Sequence, residues 1–170
     1  MARLNQRLGL TRFEADEAYK QALDYFKKSD LDNAIDRMTS AIDALPNNSE
    51  YYAARGLMFI EDAEYDKAED DFAESLRLFP YEMLAHYGRG ILAYRRKEWD
   101  AALEHFTKAY HAQTTRPETS YYLGLVYYQR REYASAVNLM GQAYTQFEAA
   151  NDKRKADAAR WLKELAKHKA

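Results

Sequence analysis

The side chains with chemistry to offer in this chain of 170 residues are 15 tyrosines, four histidines and 27 carboxylates, and their spacing points to recognition rather than catalysis. His86, His105, His111 and His168 never stand at the i, i+4 separation that puts two imidazoles on one helix face. No HExxH, nucleophile-elbow or P-loop motif occurs. The carboxylates belong to outward helical faces, where two close together repel. Absence of cysteine removes thiolate catalysis, disulfides and Cys-based metal sites together. No enzyme activity, cofactor or metal is expected. Tyrosine offers a different chemistry, a large ring with a hydrogen-bonding tip at low entropic cost, which suits non-covalent anchoring. Arg55 and Arg89 stand at equivalent places and could hold an acidic ligand group. The expected role is structural, with the stem on apolar surface and the guanidinium on a nearby carboxylate.

What must position these groups is a repeat of 34 residues without gaps. Ala22, Gly56, Gly90 and Gly124 share one register, Ala34, Ala68, Ala102 and Ala136 a second, and Ala41, Ser75, Ala109 and Ala143 a third. Large residues follow the same period: Tyr25, Phe59 and Tyr127, then Leu31, Tyr65, Trp99 and Tyr133, then Met38, Phe72, Phe106 and Met140. A period of this length marks stacked supersecondary units. Small residues fall where two helices must approach closely, and aromatics fill the space around them. Gly costs roughly 1 kcal/mol against Ala within a helix, so three glycines in one column imply that close packing offsets the loss.

Composition agrees. Strong helix formers dominate, with six Gly and three Pro, and all-α is the class expected. Net charge is −2, which predicts no general affinity for nucleic acid or membrane. No apolar run reaches the roughly 18–20 residues that span a bilayer, and Met1 to Arg12 lacks a signal-peptide core; cytoplasmic is the default location. The register predicts an N-terminal arm over 1–14, helix pairs over 15–48, 49–82, 83–116 and 117–150, and a capping helix in 151–170. Turns are expected at Lys28-Ser29-Asp30, Asp62-Ala63-Glu64, Lys97-Glu98 and Arg131-Glu132. Asn47-Asn48-Ser49 offers N-caps, and Pro117 suits a first helical turn. The tail is expected to keep the register, Ala158 in the small column and Trp161 in the aromatic one, with Ala158, Trp161, Leu162 and Leu165 as an apolar stripe.

These columns closely resemble the tetratricopeptide repeat over about 15–150 plus the terminal helix. Departures are local: Met38 and Met140 replace commoner aromatics, Ala93 replaces a Tyr, and units three and four lack the closing Pro that Pro46 and Pro80 provide. The resemblance implies a right-handed superhelical solenoid of antiparallel helix pairs whose first helices line a concave groove. Family members act mostly as adaptors, scaffolds and co-chaperones. Carried onto this chain, the groove-facing places are Tyr19, Leu23, Phe26, Leu57, Leu84, Tyr87, Ile91, Tyr94, Tyr121, Tyr122, Leu125 and Tyr128. They imply a protein or peptide partner, extended or helical, held by apolar anchors; packing of the same rings between helices, or cover by residues 1–14, is the competing account. The Lys/Asn/Arg clamp with which some relatives bind a C-terminal carboxylate is missing, its places being held by Tyr19, Leu23, Ala54, Leu84 and Gly88. Residues 15–82 sum to about −10 and residues 83–170 to about +6. The function expected is a protein–protein interaction module. A self-assembling scaffold, as a weak homo-oligomer, is the alternative, and an RNA-binding helical repeat is disfavoured because the groove is not basic.

Overall fold

A computed structural model describes residues 9–168, and every regular element among them is an α-helix. In chain order these are α1 (Leu10–Lys27), α2 (Leu31–Ala44), α3 (Ser49–Glu61), α4 (Tyr65–Leu78), α5 (Met83–Arg95), α6 (Trp99–Ala112), α7 (Pro117–Gln129), α8 (Tyr133–Ala149) and α9 (Lys155–Ala166). Starts at Ser49, Met83 and Pro117, and at Leu31, Tyr65, Trp99 and Tyr133, follow the 34-residue period, so one period is one helix pair. Residues 10–14 of the expected arm form the first turns of α1; 1–8 and 169–170 lie outside the described residues. The chain divides into two compact units, Met1–Gly88 and Arg89–Ala170.

One turn geometry closes every pair. Ser29, Ala63, Lys97 and Arg131 have left-handed φ of 60°, 60°, 61° and 63°. Their N–H groups donate to the carbonyls of Phe26, Ile60, Tyr94 and Tyr128, and the next N–H, from Asp30, Glu64, Glu98 and Glu132, donates to Tyr25, Phe59, Ala93 and Tyr127. This double closure uses carbonyls a helix end would otherwise leave unpaired. The residue that completes it stands at the N-cap position of the following helix, and in the first pair its side chain also caps, Asp30 accepting from the N–H of Asn33 at 3.3 Å. None of the four is glycine, and an L side chain in this region costs roughly 1–2 kcal/mol, which the packing of each pair must offset. Asn48 caps α3 through the N–H of Glu50, 3.0 Å away, and Pro117 stands in the first turn of α7, both as expected.

In the first unit, Ala34, Met38 and Ala41 of α2 are fully buried with Ala15 and Ala22 of α1 and, from α3, Tyr51 and Met58. Phe72 of α4 is also fully buried, lying between two glycines. A Cβ on Gly56 would come within 2.5 Å of its ring, and one on Gly88 within 2.0 Å. Gly56 belongs to the same helix pair as Phe72; Gly88 belongs to the next. Ser75, in a column otherwise of alanine, donates its hydroxyl to the carbonyl of Ser49 at 2.8 Å.

The second unit repeats the device at Gly90, whose Cβ would come within 2.6 Å of the Phe106 ring. Gly124 is less confined, with the flexible end of Met140 at 3.1 Å. The tail departs from the expected register. α8 has 17 residues where α2, α4 and α6 have 14, and α9 starts at Lys155, four residues beyond strict periodicity. The eighth helical position, glycine in α3, α5 and α7, is therefore Leu162 rather than Ala158. Four residues are close to one helical turn, so the apolar stripe survives: Ala158 and Leu165 are fully buried, and Trp161 and Leu162 pack on the cluster holding Leu125, Met140 and Phe147.

Arg154 fastens the start of α9. Its guanidinium lies 4.8 Å from the centre of the Phe147 ring and reaches Glu118 at 2.8 Å and Asp152 at 2.6 Å. Hydrogen bonds from Arg154 hold the Asp152 carboxyl at about 2. That lowered value means the contact is complete above the ordinary carboxylate range and is lost only as pH falls toward 2. Truncation after Ala150 removes the fully buried Leu165, worth roughly 1.5–3 kcal/mol, and the smaller Ala158, and it uncovers the sites on which they, Trp161 and Leu162 pack. Its melting temperature is expected to fall by about 10 °C, with concentration-dependent association in light scattering; a truncated chain that melts like the full chain and stays monomeric overturns this role for α9.

Candidate protein-binding surface

The twelve residues assigned to the surface all lie on first helices, α1, α3, α5 and α7. In the first unit, Tyr19, Leu23 and Phe26 are half-buried and pack on the cluster of Met38, Tyr51 and Met58. The Tyr19 ring stacks on Tyr51, with centroids 5.1 Å apart and planes 29° apart. Its hydroxyl donates to the Glu50 carboxylate at 2.7 Å. Burial, reinforced by that hydrogen bond, pushes the Tyr19 phenol well above its ordinary range, so it remains a donor. The Tyr51 hydroxyl donates to Asp16 at 3.1 Å. Leu57 and Leu84 are half-buried. Tyr87 is only 7% exposed and has almost no ring face to offer.

Arg55 is committed within this unit. Its Nε and Nη2 both donate to the Asp71 carboxylate at 2.8 Å, and Nη1 donates to the Thr39 hydroxyl at 3.0 Å. Asp71 is buried, and the guanidinium lies 5.7 Å from the centre of the Phe59 ring. The structural role expected of Arg55 is what the fold uses. Arg89 is half-buried in the second unit.

The second unit gathers more aromatic surface. Ile91, Tyr94, Tyr121, Tyr122 and Tyr128 are half-buried, and Leu125 is buried. Tyr122 lies flat on Phe106, centroids 5.3 Å apart and planes at 13°. Tyr94 and Tyr121 each meet Tyr122 edge-on at 5.8 Å. Trp99 meets Tyr94 at 5.3 Å, and Trp161 meets Tyr128 at 5.1 Å. Burial raises the phenols of Tyr94 and Tyr121, and the Trp161 indole N–H, donating to the Tyr121 oxygen, opposes the shift there. Trp99 of α6 and Trp161 of α9 join these rings, although neither stands on a first helix of a pair. Trp99 appears in the sequence as a column residue of a second helix, and the position of Trp161 depends on the extra turn in α8.

Such an arrangement offers ring edges and hydroxyls over a partly exposed apolar floor. Among the described residues, no group of His, Asp or Glu is arranged to hold a metal ion. No described helix is long and apolar enough to cross a membrane.

A tetratricopeptide repeat family model matches residues 19–82 and 60–117, together more than half of the chain. The chain belongs to the tetratricopeptide repeat family. No curated protein matches it. Among solved structures, the Cut9–Hcn1 hetero-tetramer of the APC/C contains a chain similar at 20% identity and a TM-score of 0.81, over 91% of this chain and 30% of that one. The first tetratricopeptide domain of Spaghetti (RPAP3), bound to the HSP90 peptide SRMEEVD, gives 20% identity and 0.64, over 69% of this chain and 96% of that one. MamA from Desulfovibrio magneticus RS-1, residue 41 to its end, gives 18% and 0.62, over 92% and 97%. At these identities the likeness is one of fold, a tetratricopeptide-like helical solenoid, and this chain spans less than a third of the Cut9–Hcn1 relative.

Proposed function

We propose that this tetratricopeptide repeat chain is a protein-interaction scaffold that takes a peptide or helix with apolar anchors on its tyrosine-rich first-helix surface. Family membership supports the interaction role, and the RPAP3 neighbour is a tetratricopeptide domain holding a peptide. The observation that carries the surface is the set of partly exposed rings in the second unit, Tyr94, Tyr121 and Tyr122 in mutual contact and Tyr128 against Trp161. Fully packed core rings would show no such exposure. A carboxylate clamp is not the mode proposed, because Tyr19, Leu23, Ala54, Leu84 and Gly88 supply no cation where that clamp is built. Tyr87 contributes to stability, since its ring is inside.

The test is Tyr94→Ala with Tyr121→Ala, assayed by partner capture from the native host and by circular dichroism on the same sample. Central aromatic anchors are worth about 2 kcal/mol or more each, so two losses take a micromolar complex beyond detection while helicity is retained. Unchanged capture per folded molecule, with a lower melting temperature, means that these rings serve only the inter-helix core.

A further inference from the structure

The solvent face of α9, with the residues that flank the helix, is basic. Lys153, Arg160, Lys163 and Lys167 are all exposed. Arg160 pairs with Asp157 and Lys167 with Glu164, while Lys153 and Lys163 make no ion pair among the described residues. The complementary surface lies in the same chain. Helix C-termini favour cations, and the last residue and cap are Lys27-Lys28 in α1, Arg95-Arg96 in α5 and Gln129-Arg130 in α7. In α3 they are Glu61 and Asp62. That reversal opposes the helix dipole, and Glu64, Asp66, Glu69 and Asp70 follow within the next eight residues. The single cation of the segment, Lys67, goes to Glu64 at 3.4 Å. Glu61, Asp62, Asp66 and Asp70 are exposed and make no ion pair among the described residues.

We infer that the basic face of α9 docks on the acidic end of α3 and start of α4 in a second copy, so that the chain self-associates through charge. The imbalance runs through both units: residues 1–88 hold ten basic and eighteen acidic side chains, and residues 89–170 hold fifteen and nine. A second copy therefore presents the complement of each surface at equal stoichiometry. Exposed ion pairs contribute little singly, so the association is weak and rests on several acting together. The Debye length is about 10 Å at 0.1 M salt and about 3 Å at 1 M, so added salt dissolves the contact. This inference is independent of the tyrosine surface, and neither stands or falls with the other.

Sedimentation of the full chain in low and high salt tests it. Concentration-dependent association is expected at low salt and loss of it at high salt. Lys153→Glu with Lys163→Glu gives a monomer, and so does Glu61→Lys with Asp62→Lys. Neither double variant breaks an ion pair of its own fold, and the second melts no lower than the parent because it restores the charge that the α3 terminus favours. Mixing the two restores association, since one retains the acidic surface and the other the basic helix. A chain that stays monomeric at low salt, an oligomer that survives salt or either reversal, or a mixture that stays monomeric overturns the inference.

Discussion

Gly88→Ala is expected to destabilise the first unit by about 1–3 kcal/mol, the range for forcing extra volume into a well-packed core, although Ala is the better helix former by roughly 1 kcal/mol. The added Cβ would lie 2.0 Å from the Phe72 ring. That ring is fully buried and already confined by Gly56 on its other side, so neither ring nor backbone has room to yield. Gly124→Ala is the matched control. Its Cβ meets the end of Met140 at 3.1 Å, a flexible group that gives way, and the variant should be neutral or slightly more stable. Phe72→Leu placed on Gly88→Ala should recover part of the loss by vacating the clash. Urea denaturation of the four proteins decides the matter: a Gly88→Ala protein as stable as its parent, or a Gly124→Ala protein equally damaged, shows that the ring is not the obstacle.

Arg55→Met should cost more, about 3–5 kcal/mol, as expected when one partner of a buried ion pair is removed. Both guanidinium bonds to Asp71 are 2.8 Å long, and Asp71 is 6% exposed, so the variant leaves a carboxylate in the interior without its counter-ion. Arg55→Met with Asp71→Leu removes both charges and should regain most of the loss, because the pair is close to neutral against an apolar replacement. Thermal melts of the parent and the two variants check this. A double variant no more stable than Arg55→Met alone would show that the loss comes from the other guanidinium contacts, with Phe59, Tyr52 and Thr39, instead.

Both results turn on contacts of a kind that a repeat pattern does not report. The columns of alanine, glycine and aromatic residues were legible because each is sampled several times at 34 residues, and the periodic signal adds while local variation does not. Helix pairing, turn positions and the all-α class follow from that signal. So does the placement of the surface residues on first helices, though by resemblance. Gly88 belongs to no column: the equivalent residues are Ala54 and Tyr122, and where Gly88 makes room for Phe72, Tyr122 stacks on Phe106. Asp71 stands 16 residues from Arg55 on a different helix, a pairing set by the angle at which α3 and α4 meet.

The surface divides along the same line. Residue type placed the tyrosines, but tertiary packing decided that Tyr87 is interior, that Tyr19 is spent on Glu50 and Tyr51, and that Trp99 and Trp161 join the rings of the second unit. The extra turn of α8 shifts α9 by four residues and puts Leu162 at the glycine position; the helix stops short of Asn151, which lies in the left-handed region at φ 51°, a stop that the 34-residue period does not report. By itself, then, the sequence determined the period, the helices and their apolar stripes, because those depend on spacing within one segment. Which polar atom pairs, which ring is covered and where the stack departs from its period were decided by the tertiary structure, because each depends on side chains that meet across helices.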